Sequence, residues 1–180
     1  MHSYRFMRPL TVLALAGVVS MVISVSVGSS DLALTETLWV LFGGGTELQQ
    51  TLILDLRLPR TLTAFATGGL LAVAGALMQV LLRNPLADPY VLGLSGGAAV
   101  GALLAMMAGA AGFVVSGSAF AGALLSTFLV FGLAHGTGSW TPSRLLLTGV
   151  VVAAGWGALI TLILAMSPAQ QLPGMLYWLM

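Results

Sequence analysis

The sequence contains no cysteine and no lysine, and charged side chains of either sign are scarce. The absence of cysteine excludes disulfides, thiolate metal sites and a cysteine nucleophile. The six basic residues are all arginines, and five acidic residues nearly balance them. Because a nucleic-acid-binding surface needs clustered lysine and arginine, this composition indicates that the chain has no nucleic-acid partner.

Charged residues make up 6% of the 180 residues, whereas soluble domains average about 25%. Hydrophobic residues make up 58%, so a water-soluble globular core is excluded and the solvent must be a bilayer. Four stretches carry no charge: 9–30, 61–82, 89–143 and 145–180. A spanning helix needs about 20 apolar residues, and the third stretch has room for two. The sequence therefore predicts an all-α, polytopic transmembrane helical bundle of about five spanning helices.

We place the five spans at 10–27, 61–82, 91–110, 113–134 and 145–166. The first run also resembles a cleaved signal peptide, but its uninterrupted length favours a retained span. The segment Leu32–Phe42 is too short to cross, and we interpret it as a helix lying on the membrane surface. A second short segment, 47–56, follows it. Pro59 is then expected to mark the start of the second span, where its missing N–H costs little.

The positions of the arginines predict the orientation of the chain, because cytoplasmic loops collect positive charge. With the N-terminus in the cytoplasm, four arginines lie on the inner side, namely Arg5, Arg8, Arg83 and Arg144. Arg57 and Arg60 lie on the outer side. We therefore predict a cytoplasmic N-terminus.

Small residues recur at helical spacing in the predicted spans, and small side chains allow membrane helices to pack closely. One stripe runs along the second span and ends in an amide. A G-x-x-x-G pair lies on the third span. We predict helix packing at six of these positions: Gly68, Ala72, Gly75, Gln79, Gly97 and Gly101.

The predicted spans contain no Asp, Glu, Lys, Arg or His, the groups that mark intramembrane proton relays and ion pathways. The chain also has no G-x-x-x-x-G-K-[ST] phosphate-binding motif. We therefore expect no catalytic residue, no metal site and no cofactor in this chain. It is predicted not to be an enzyme, and any energy must come from a partner.

A series of sequence blocks in the right order resembles the FecCD-type permeases, the membrane subunits of ABC importers for iron-siderophores, haem and cobalamin. The blocks are LRLPRTL at 56–62, AGALMQ at 74–79, RNPLADP at 83–89, LGLSGGA at 92–98, SRLLLTGV at 143–150 and LYWLM at 176–180. Each block alone is a weak signal. Together they cover nearly the whole chain, which makes the resemblance specific.

The resemblance implies a subunit of about ten spanning helices, of which this chain matches the first half. Residues 1–180 would then form a single transmembrane permease domain. The chain ends on an apolar, aromatic segment, whereas natural ends are usually polar, so we expect it to be truncated at the C-terminus.

The family also implies an assembly in the bacterial inner membrane. Its other members are a second permease subunit (an identical chain or a paired homologue), two cytoplasmic ATP-binding subunits and a periplasmic or lipid-anchored substrate-binding protein. The implied function is a conduit for an iron-siderophore or related metal chelate. Two alternatives stay open: a cobalamin or haem importer permease, and a non-transporting, truncated membrane scaffold.

Site residues carry over from the family at two places. Arg57 and Arg60 match paired arginines that meet acidic residues of the binding protein, and arginine binds carboxylates bidentately. The alternative is that both side chains extend to lipid head groups. Thr141, Pro142 and Ser143 match residues that narrow the pathway on the cytoplasmic side. Here the alternative is a helix start, with Thr141 or Ser143 as the N-cap.

The fifth predicted span carries no charge, and we expect its open face to include Thr148, Gly149 and Thr161. A bulky chelate held by another protein would need an uncharged wall, because a tight site inside the channel would slow release. These three residues are therefore predicted to line the pathway.

Overall fold

The computed structural model describes residues 3–28, 32–136 and 141–180. All regular secondary structure in these parts is helical, which confirms the predicted all-α class. The elements, in chain order, are α1 (Ser3–Ser26), α2 (Leu34–Leu41), α3 (Glu47–Gln50), a π-helix (Thr51–Arg57), α4 (Leu58–Leu82), a 3₁₀ helix (Pro89–Leu92), α5 (Leu94–Met107), α6 (Phe113–His135), α7 (Pro142–Met166) and α8 (Leu172–Leu179).

Four helical stretches within the described residues are long and apolar enough to cross a membrane: Pro9–Ser26, Glu47–Leu82, Phe113–His135 and Pro142–Met166. The third predicted span, 91–110, is shorter in the structure. α5 has 14 residues, which rise about 21 Å against a hydrocarbon core of about 30 Å. Gly93, at φ 67°, separates α5 from the 3₁₀ helix, and Gly109, at φ 81°, follows its end.

The predicted start of the second span at Pro59 is wrong, because one helical stretch of 36 residues continues from Glu47 through Pro59 to Leu82. A proline inside an α-helix removes one N–H donor and collides with the carbonyl four residues earlier. Here the π-helix precedes the proline, and the N–H of Leu58 donates to the carbonyl of Ile53, five residues back. The π-helix thus passes into α4 without interrupting the helical stretch.

Residue contacts divide the chain into two units, Met1–Ala72 and Val73–Met180, and α4 contributes to both. The first unit has a small apolar core of Val25, Val40 and Ile53. These residues come from α1, α2 and the π-helix, so the core joins three elements. Leu32 and Leu58 pack against it.

The second unit contains two larger apolar cores. One consists of Met78, Leu82, Leu92, Val130, Ala134 and Leu145, and the other of Val100, Leu103, Trp156, Ile163 and Met175. Between α5 and α6 the backbones themselves are in contact. A Cβ atom on Gly97 would collide with the carbonyl of Gly122, and one on Gly101 with the carbonyl of Ser118. Only glycine permits an approach this close.

A buried polar group connects three elements of the second unit. The indole N–H of Trp156 in α7 donates to Ser126 Oγ in α6 at 2.9 Å. The Ser126 hydroxyl in turn lies 3.0 Å from the Gly93 carbonyl and 3.3 Å from the Leu92 carbonyl, and it donates toward them. Buried polar atoms in an apolar bundle need such partners, so this network satisfies the indole and the end of the 3₁₀ helix together.

Candidate functional site

A cleft of about 460 Å³ in the first unit contains both arginines that the sequence singles out for docking. Its walls come from the end of α1, the π-helix and the first turns of α4. Ser24 and Gly28 contribute from α1 and the residues after it, Leu56 from the π-helix and Thr61 from α4. The cleft therefore combines two cationic groups with hydroxyl and apolar side chains.

Arg57, the last residue of the π-helix, is half-buried and points to the C-terminus of α1. Its Nη1 donates to the carbonyl of Val25 at 3.2 Å and to that of Ser26 at 3.0 Å. Carbonyls in the last turn of a helix lack partners within the helix and carry partial negative charge. Arg57 therefore supplies both a donor and a positive charge where α1 needs them.

Arg60 lies one helical turn further along, in α4, and its side chain is exposed. Within the described parts of the chain, it makes no hydrogen bond and no ion pair. The structure brings the two predicted docking residues into one cleft and gives them different surroundings.

A hydroxyl pair also lines this cleft. Ser24 Oγ and Thr61 Oγ1 lie 2.9 Å apart and share a hydrogen bond between α1 and α4. Thr61 is 5% exposed. Neither residue is among the sites predicted from the sequence, although a hydroxyl inside an apolar run indicates a helix contact. What the sequence could not show is that these two hydroxyls are partners.

The predicted gate residues lie at the start of α7. Thr141 is the N-cap, and its Oγ1 accepts a hydrogen bond from the Arg144 N–H at 3.3 Å. Pro142 follows in the first turn, where proline is favoured. Ser143 is exposed. This geometry matches the helix-start alternative at Thr141, and it leaves Pro142 and Ser143 on an open surface.

Pro142 and Ser143 line a cleft of about 200 Å³ together with the loop after α4. Two local features fold that loop. Arg83 adopts φ 49°, a left-handed conformation that a residue with a side chain rarely takes. Asn84 Oδ1 then accepts the N–H of Leu86 at 2.9 Å, which forms a tight turn.

The three predicted pathway residues do not come together. Thr148 is half-buried and Gly149 is buried, and a Cβ on Gly149 would collide with the Val91 carbonyl of the 3₁₀ helix. Thr161 is exposed, and its Oγ1 donates to the Gly157 carbonyl of its own helix at 3.0 Å. Thirteen residues of α-helix separate Thr148 from Thr161, a rise of about 20 Å. The structure thus places Gly149 in a helix contact and not on an open face.

The predicted packing residues divide into two groups. Gly97 and Gly101 lie in the close contact of α5 with α6 described above. Gly68, Ala72 and Gln79 on α4 are exposed, and Gly75 is half-buried. Among the described residues, no atom beyond the helix's own backbone lies within 4 Å of the Cβ position at Gly68 or Gly75.

Several apolar helices of spanning length and very few charged residues define a multi-pass membrane protein. The chain belongs to the FecCD transport family, whose family model matches residues 15–180. It is 41% identical over 144 residues to the ferric enterobactin transport system permease protein FepD of Escherichia coli strain K12, a match that covers 76% of this chain and 42% of that protein.

Two further likenesses extend over nearly the whole chain. It is 38% identical over 180 residues to the vitamin B12 import system permease protein BtuC of Serratia proteamaculans strain 568, covering 98% of this chain and 51% of that protein. A solved structure of an inward-facing metal-chelate type ABC transporter superimposes with a TM-score of 0.78 at 29% identity. That superposition covers 95% of this chain and 52% of the solved one. The chain spans about half the length of the curated relatives it matches.

Proposed function

We propose that this chain is the first half of a permease subunit of an ABC importer and forms a conduit for an iron-siderophore or related metal chelate. The observation that carries the proposal is the family match over residues 15–180. A TM-score of 0.78 to a metal-chelate type transporter supports the same function. Relatives named for ferric enterobactin and for vitamin B12 make cobalamin the second candidate substrate.

In this proposal the chain lies in the bacterial inner membrane with its N-terminus in the cytoplasm. It works with a second permease subunit, two cytoplasmic ATP-binding subunits and a substrate-binding protein on the outer side. Energy comes from the ATP-binding subunits, and the chain needs no cofactor or metal of its own. The distribution of the six arginines supports this orientation, because the larger group falls on the predicted inner side.

The cleft of Arg57 and Arg60 is the proposed docking surface for the binding protein. Thr141, Pro142 and Ser143 are the proposed cytoplasmic gate, and their support is the open cleft beside Pro142 and Ser143. For pathway lining, the exposed side chain of Thr161 and the partly exposed one of Thr148 are the better supported positions.

The test is transport by the complete assembly in proteoliposomes. The full-length permease, its ATP-binding subunits and its binding protein are reconstituted, and uptake of a ⁵⁵Fe-loaded siderophore is measured with ATP present. We expect uptake that depends on ATP and on the binding protein. Labelled cobalamin in parallel vesicles tests the second substrate.

The control is the same assembly with ATP-binding subunits that bind ATP and do not hydrolyse it. We expect these vesicles to show no uptake. If the active assembly accumulates neither compound, and ATP hydrolysis does not respond to the loaded binding protein, the importer proposal is wrong and the scaffold alternative is favoured. Uptake without ATP would contradict the proposal that the ATP-binding subunits supply the energy.

A further inference from the structure

The two arginines of the docking cleft have the same chemistry and different surroundings. Arg57 is half-buried, with two hydrogen bonds from Nη1 to the end of α1. Arg60 is exposed and, in the described parts of the chain, has no polar partner. A side chain that already donates to carbonyls must give up those bonds before it can bind an incoming carboxylate. An exposed side chain without such bonds does not have to break them.

The bonds made by Arg57 meet a specific need of α1. Among the described residues, the last backbone N–H that donates into α1 is that of Val27, to the Ile23 carbonyl at 2.8 Å. Val25 and Ser26 lie in the final turn, where carbonyls require partners from outside the helix. A cation at this end also interacts favourably with the helix dipole. The guanidinium satisfies both requirements with one group.

The residue after this turn leaves room for the guanidinium. A Cβ on Gly28 would collide with the guanidinium of Arg57. The backbone of Gly28 does not have a positive φ, so its conformation is open to residues with side chains. Among the described residues, the atoms nearest to the Cβ position at Gly28 are therefore those of the Arg57 guanidinium.

We propose that Arg57 and Arg60 have separate roles. Arg57 is a positioning residue that holds the end of α1 and thereby one wall of the cleft. Arg60 is the arginine that donates directly to a carboxylate of the docking partner. This inference rests on the proposed function in one respect, namely that an acidic surface of the binding protein docks at this cleft.

The first test compares the same substitution at the two positions. Arg57→Gln and Arg60→Gln are made in the full-length permease, assembled with its ATP-binding subunits in lipid nanodiscs. The affinity for the purified binding protein is then measured. We expect Arg60→Gln to weaken docking about tenfold, because a charge-assisted bond is lost. Arg57→Gln should weaken it less than threefold and lower the midpoint of thermal unfolding by about 2–4 °C.

The second test needs no partner protein. Gly28→Ala should displace the guanidinium and lower the unfolding midpoint about as much as Arg57→Ala does. In the double variant the two effects should not add, because both remove the same interaction. Thr61→Val in place of Arg57→Ala is the matched control, since it breaks the hydroxyl pair and leaves Arg57 in place. Its effect should add to that of Gly28→Ala.

The outcomes separate this inference from the docking proposal. If Arg57→Gln weakens docking as much as Arg60→Gln and leaves the unfolding midpoint unchanged, the division of roles is wrong and docking at the cleft is upheld. If neither substitution affects docking, the docking role is wrong. The double-mutant cycle of Gly28→Ala and Arg57→Ala then still decides whether Arg57 holds the end of α1. Additive effects in that cycle would overturn the positioning role.

Discussion

In the first unit, side chains of Arg57, Ser24 and Thr61 connect elements through polar bonds, and 6% of the Pro9–Ser26 stretch is buried. In the second unit, four of the 23 residues of α6 are buried, and glycines bring backbones into direct contact. Apolar side chains gain little in a bilayer by leaving lipid for another helix, so close backbone packing or polar bonds must hold helices together. The first unit relies on polar bonds, whereas the second combines close backbone contact with a buried polar network.

The largest effect should come from filling the backbone contact of the second unit. Gly97→Leu places a side chain where the Gly122 carbonyl lies, and backbone cannot yield as a flexible side chain can. We expect a loss of about 3 kcal/mol in the free energy of unfolding, measured by thermal unfolding in detergent. Gly117→Leu in α6 is the control, because no atom lies within 4 Å of its Cβ position among the described residues. Equal losses in both variants would refute the contact.

A smaller effect is expected at the buried polar network of the same unit. Ser126→Ala leaves the Trp156 N–H and the Leu92 carbonyl without this partner, and we expect a loss of about 2 kcal/mol on unfolding. Trp156→Phe should lower the free energy of unfolding less in the Ser126→Ala variant than in the parent chain, because the bond it removes is already lost. A double-mutant cycle would show this difference. The exposed Ser116→Ala is the control and should change little. A neutral Ser126→Ala would contradict the network.

The smallest effect should come from the hydroxyl pair of the first unit. Thr61→Val removes the bond to Ser24, and single polar bonds between membrane helices average about 0.6 kcal/mol. Thr63→Val is a matched control, because the Thr63 hydroxyl donates to the Pro59 carbonyl of its own helical stretch. We expect Thr61→Val to lower the unfolding midpoint more than Thr63→Val. If Thr63→Val lowers the unfolding midpoint more than Thr61→Val, the bond between Ser24 and Thr61 does not stabilise the first unit as proposed.

The positions of most helices could be predicted from the sequence, because runs of apolar residues between charges are a local property. The spans predicted at 113–134 and 145–166 agree with α6 and α7 to within one residue at all but one end. The exception is the start of α7 at Pro142, where the N-cap Thr141 and a proline in the first turn extend the helix into a polar segment.

Two boundaries could not be predicted, for separate physical reasons. Pro59 is a standard helix-start signal, and nothing local shows that a preceding π-helix will carry the chain through it. The third span is predicted too long, because hydropathy carries no information about the left-handed conformation of Gly93. Both errors concern backbone geometry, to which a count of apolar residues is insensitive.

The candidate site was predictable in its residue types and not in its contacts. Arg57 and Arg60 could be selected as a pair from their motif, yet their different surroundings depend on where the end of α1 lies, about thirty residues earlier in the chain. Gly149 shows the same limitation. A glycine in an uncharged span suits an open wall and a helix contact equally, and the structure places it against Val91.

By itself, the sequence determined that this protein is a membrane protein, since the cost of placing charge in lipid depends on composition. It also determined the resemblance to helical permeases, because each family block is a contiguous run of residues. Only the tertiary structure decided which arginine bonds to the end of α1, which glycines have a partner in the described chain, and which serine connects three helices. Those outcomes depend on segments that are distant in sequence meeting in space, and no local pattern encodes which segments meet.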